Sequence, residues 1–150
     1  MTAEEFLKRY EKIDAIIKNK EEKIQGLDDK AKGTTSHLTP DKVQTSGNGQ
    51  KMANSVDEAL DLMSELKPLK IKRIQVRREI ETVIEQLPVL RYKILYRKYI
   101  LLKAPKVIAY EVDRSKDTVN RQTRIAIEEV QGILDKNSEN ILQIIQNNSK

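Results

Sequence analysis

The chain contains no cysteine and no tryptophan. Disulfides and cysteine-containing zinc sites are therefore excluded, and the composition suits a reducing compartment. The only histidine, His37, has no second ligand of suitable type near it in sequence, so no metal site is expected. Phenylalanine occurs once, and glycine and proline five and four times in 150 residues. With 34% charged against 38% hydrophobic residues, this describes long solvent-exposed helices better than a thick core. No apolar run approaches the roughly 20 residues that span a bilayer, so no membrane partner is expected. The acidic start Met1-Thr2-Ala3-Glu4-Glu5-Phe6 lacks an apolar export segment, which predicts an intracellular, cytoplasmic protein. Alternating strand patterns are missing. So are a nucleophile-base pair and a phosphate-cradling glycine loop, and neither catalytic residues nor a cofactor are expected.

What is present is helical periodicity. Thr2 with Glu5 three residues later is a capping-box pattern that opens a helix over residues 1–32. Phe6, Tyr10, Ile13, Ile17, Ile24 and Leu27 follow a three-four alternation broken only by Lys20, a coiled-coil seam of about three heptads, or roughly 40 Å. Residues 33–52, rich in Thr, Ser, Gly and Asn, predict a flexible linker that carries His37 and the patch Val43-Gln44-Thr45-Ser46. That patch fits an extended segment lying across the helices or a partner-binding stretch. Asn54 or Ser55 can cap a second helix over residues 53–86, with Val56, Leu60 and Met63 on one face and a kink near Pro68. Folded back on the first, it would make an antiparallel hairpin. The same stripes would also serve an intermolecular coiled coil, a homodimer through the N-terminal helices.

Residues 87–135 carry three local signals of a helix-turn-helix. Ser115 can cap a helix by accepting the amide proton of Asp117 or Thr118. Pro105 suits the first turn of a short helix whose Val107, Ile108 and Val112 face inward. Between them, Val112-Asp113-Arg114-Ser115 fits a tight turn in which Asp113 tolerates a left-handed backbone. After Ser115, Val119, Ala126, Ile127, Val130, Ile133 and Leu134 recur at helical spacing, with the helix ending near residue 135. Residues 136–150 predict a separate short helix and a disordered tail. The fold class expected is all-α.

Charge is concentrated in the same stretch. Residues 91–124 hold ten Lys or Arg against three acids, a net +7, while the whole chain is +5. A basic footprint on a helix-turn-helix points to the phosphates of double-stranded DNA. Lys116, Asp117, Thr118, Asn120, Arg121 and Arg124 are the expected base contacts, and Arg91, Arg97, Lys98, Lys103, Arg114 and Ser115 the expected phosphate contacts. Tyr92, Tyr96 and Tyr99 fall at helical spacing and suit core packing better than base stacking.

Leu87-Pro88, Arg91, Ile94-Leu95, Arg97, Tyr99-Ile100, Ile108-Ala109, Val112, Ser115, Thr118-Val119 and Ala126-Ile127 together resemble region 4 of sigma factors, over about a third of the chain. With the long N-terminal helix and linker, the chain is similar to the ArpU-like and RinA-like late-transcription regulators of phages and prophages. The resemblance implies a sequence-specific DNA-binding activator in a bacterial host cytoplasm, sigma-like and with host RNA polymerase as a partner. The chain ahead of the module leaves no room for a separate promoter-melting domain, so a full sigma factor is not expected. Two other classes fit an all-helical basic chain: the DNA-recognition subunit of a phage packaging machine, and a helical protein-interaction module that does not read DNA.

Overall fold

The computed structural model describes residues 1–36 and 46–150, with side chains outside residues 31–36 and 46–52. Among the described residues the chain is all-helical and has no strand. Five α-helices follow one another: α1 (Ala3–Ser36), α2 (Ser46–Ile84), α3 (Val89–Leu95), α4 (Pro105–Glu111) and α5 (Lys116–Asn148). Between α3 and α4 lies a π-helical turn, Tyr96–Ile100. The Thr2 and Glu5 box closes α1 reciprocally: the Thr2 amide donates to the Glu5 carboxylate at 2.8 Å and the Glu5 amide to Thr2 Oγ1 at 3.2 Å. The bond from the Thr2 backbone, with help from its hydroxyl, holds the Glu5 carboxyl below its usual range.

The chain divides into two compact units. One is Ile13–Ile74, made from parts of α1 and α2. Its core is Ile13, Ile17 and Leu66, with Ile24 and Leu69 packed against them. Lys20, the polar break in the seam, reaches Glu65 at 2.6 Å, and Lys70 reaches Glu21 at 3.2 Å. Asp14 is buried and takes Arg73 at 2.8 Å and Lys18 at 2.9 Å. Pro68 lies inside α2 without interrupting it. The carbonyl it cannot bond belongs to exposed Ser64, which water can satisfy.

The other unit is Met1–Lys12 with Gln75–Lys150. Ala3, Phe6 and Leu7 meet Val76, Ile80, Val83, Ile84 and Leu87 of the α2 end, Leu95, Tyr99 and Ile100, and Ala126 and Val130 of α5. The Ala3 amide donates to Gln131 Oε1 at 2.7 Å, which pins the N-terminus to α5. The π turn lets residues five apart share a face, so Leu95 and Ile100 both enter this core. Tyr99 is buried here, and Tyr92 and Tyr96 pack on the core with ring centroids 5.8 Å apart. Burial, with the charges of Glu4 and Glu11 nearby, pushes the Tyr99 phenol up to about 12.

Several boundaries differ from the sequence expectation. Residues 33–36 and 46–52 are helical where linker composition predicts coil, because glycine lowers helix stability by about 1 kcal/mol without stopping a helix. His37 and residues 43–45 lie outside the described residues. Since α2 starts at Ser46, Asn54 and Ser55 stand inside it and do not cap it. Val56, Leu60 and Met63 are about half exposed; they line an open groove of about 460 Å³ with Ile24 and Leu27. Gly26 and Asp28 beside those two α1 residues offer no apolar cover. The seam residues Phe6, Ile13 and Ile17 are each buried within their own unit. Finally, α5 does not end near residue 135 but runs to Asn148. Ser138, which as a cap would have started a new helix, instead donates its hydroxyl to the Leu134 carbonyl at 3.0 Å.

Candidate nucleic-acid interface

Helix α4 opens on Pro105 at its first position, after Ala104 in extended conformation. Only Ile108 is fully buried on it; Ala109 and Val112 are half-buried, and Val107, expected inside, is exposed. Ile108 packs with Ile94 of α3 and Val119 of α5, and Leu90, Ala109 and Val112 close around them. The small Ala109 lets the helices approach. Four residues join α4 to α5. Asp113 adopts φ 55°, a left-handed backbone, and the Arg114 amide returns to the Ala109 carbonyl at 3.0 Å. Ser115 then caps α5: its Oγ accepts the Thr118 amide at 3.2 Å and donates to Thr118 Oγ1 at 2.8 Å.

On α5 the inward line is Val119, Thr123, Ala126 and Val130. Thr123 is satisfied by donating to the Val119 carbonyl at 2.7 Å. At 100° per residue, Asp117, Arg121 and Arg124 fall on the opposite arc and Asn120 at its flank, while Lys116, the first residue of α5, lies nearer the inward line; all five are exposed. Among the described residues no ion pair or side-chain hydrogen bond engages Lys116, Arg121 or Arg124. Thr118 lies off this arc, half-buried and committed to the Ser115 cap.

The residues expected at phosphates divide differently. Arg91 donates to Gln122 at 2.9 Å and to Glu129, a tie between α3 and α5. Arg97 and Lys103 both clasp Glu111, Arg97 at 2.9 Å. The Lys103 bond, and after it the Arg97 bond, outweigh the effect of burial and hold the Glu111 carboxyl below its usual range. Lys98 sits 5.4 Å over the Tyr99 ring. Arg114 is exposed and donates to the Asp113 carbonyl at 3.0 Å. Lys93 and Lys106 are exposed cations that the sequence reading did not assign.

The Glu111 clasp and the Arg91 to Glu129 tie were not foreseen. Their partners are 14, 8 and 38 residues apart, beyond the three-four spacing that marks ion pairs on one helix. Leu102, with φ 54°, was also missed, since a left-handed leucine carries no sequence signal. Tyr110 stands 88% exposed on α4, unlike the three tyrosines before it.

No protein-family model, curated protein or solved structure matches this chain. Among the described residues no three His, Cys, Asp or Glu side chains gather to hold a metal ion, and no helix is long and apolar enough to cross a membrane.

Proposed function

We propose that α4, its four-residue turn and α5 act as a helix-turn-helix, and that the chain is a sequence-specific double-stranded DNA-binding regulator of transcription. The observation that carries this is the junction itself. A left-handed Asp113 and the Ser115 cap aim the first turns of α5 outward, with Arg121 and Arg124 exposed on one arc, Asn120 at its flank and Lys116 exposed at the helix start. Such an arc suits the major groove, where Arg or Lys can bond guanine and Asn can bond adenine. The paired segments of α1 and α2 fit an antiparallel hairpin. The sigma region 4-like pattern favours promoters as targets and RNA polymerase as a partner of the bound protein.

In this reading Arg91 is a structural tie and not a phosphate contact, while Arg114, Lys106 and Lys98 track the backbone. Arg97 and Lys103 are held by Glu111 until a phosphate competes for them. In vitro selection from a random duplex library tests the proposal. Enrichment of one short motif is expected, and recovery of unenriched DNA, or of none, would overturn it. A packaging-site reader would enrich a motif too, but genomic occupancy would then fall at packaging sites instead of promoters.

A further inference from the structure

Helix α5 outlasts the core it packs on. At 100° per residue Ile127, Val130 and Leu134, which face the core, share one stripe with Ile141 and Ile145, and Leu142 and Ile144 border it. Yet Ile141, Leu142, Ile144 and Ile145 are 57, 59, 59 and 55% exposed. The face that anchors α5 therefore continues for about three turns with nothing in the chain against it among the described residues. An apolar helix stripe left in water marks an interaction surface.

The flanks of this stripe say what fits it. Between residues 137 and 149 Glu139 is the one charge, and it falls on the far side of the helix; the whole chain is 34% charged. A partner with a charged rim would find no counter-charge here. An identical helix would meet apolar against apolar and amide against amide, without like-charge repulsion. Antiparallel pairing, which the helix dipoles favour, sets Ile141 against Ile144 of the second copy and Asn137 against Asn148.

We propose that this end of α5 is a self-association surface, covered by the same segment of a second copy in an antiparallel, two-fold arrangement. The proposal stands whether or not the basic arc reads DNA. Four large side chains per copy are few against the roughly 20 residues a side of a stable interface, so the dimer is concentration-dependent.

Sedimentation of the full chain from ~1 μM to ~1 mM, the range in which small interfaces dissociate, tests it. The mass should double across the series, and the double variant Ile141→Asp, Ile145→Asp should stay monomeric with an unchanged melting temperature. A wild-type chain that is monomeric throughout overturns the proposal, as does a variant that still dimerises. Should the variant unfold, the native cysteine-free chain offers a second measurement. A mixture of Asn137→Cys and Asn148→Cys chains, treated with a short thiol cross-linker, should yield mixed dimers well beyond those from either chain alone. No such excess overturns it.

Discussion

Asp14, only 6% exposed, is a carboxylate buried beside a hydrophobic seam. Burial alone would raise its pKa, but the hydrogen bonds and charges of Lys18 and Arg73 outweigh it and hold it below the usual aspartate range. A carboxyl lowered by folding stabilises above its unfolded pKa, and that contribution is lost as pH falls through the lower folded value. Asp14→Asn should therefore cost roughly 1.5 to 3 kcal/mol at neutral pH, and markedly less near pH 2. Urea melts at the two pH values measure this, and an equal loss at both would contradict it. Tyr99 works at the other end of the scale. Its phenol is pushed up to about 12, so the stability it contributes is complete below about pH 10 and is lost as pH rises through the folded value. Tyr99→Phe should remove the last phase of tyrosinate absorbance on alkaline titration. The burial of Tyr99 was legible from its spacing with Tyr92 and Tyr96. The place of Asp14 was not, because periodicity marks which positions face a neighbour and not which charges that neighbour brings.

At the scale of elements, the ends of α5 behave differently. Its start was legible, since a cap works through atoms three residues apart: Ser115 and Thr118 bond as local chemistry dictates. Ser115→Ala should lower stability by about 1 kcal/mol, measured by denaturant melts, with DNA affinity lost only in proportion. Asp113 makes a sharper test of the turn. At φ 55° a β-branched residue is strained, so Asp113→Val should cost about 1 to 2 kcal/mol while Asp113→Gly costs nothing. Equal effects of the two would mean that the left-handed turn is absent in solution. The far end of α5 was not legible, because Ser138 can either cap a new helix or bond back to Leu134, and sequence does not say which. Nor was the start of α2. Glycines within residues 46–49 weaken a helix but do not prevent one.

For the whole molecule, charge decides what can be bound. Of the ten cations in residues 91–124, Arg91, Arg97 and Lys103 are engaged with Glu129 and Glu111. This leaves enough to neutralise about five phosphates, so log affinity should fall with log salt at a slope of about −4 to −5 per bound subunit. A slope near zero would mean that the basic arc faces no DNA. Salt dependence alone does not separate reading from non-specific attraction. The direct measurement is the ratio of affinity for a selected duplex to affinity for random duplex, at one salt concentration, in wild type, Arg121→Ala and Lys106→Ala. Arg121→Ala should lose about 1 to 3 kcal/mol on the selected site and relax preference at one base position, collapsing the ratio. Lys106→Ala should weaken both duplexes alike and leave it intact. If Arg121→Ala keeps the wild-type ratio, α5 does not read sequence with this arc, and a protein-docking role would better account for its exposed cations.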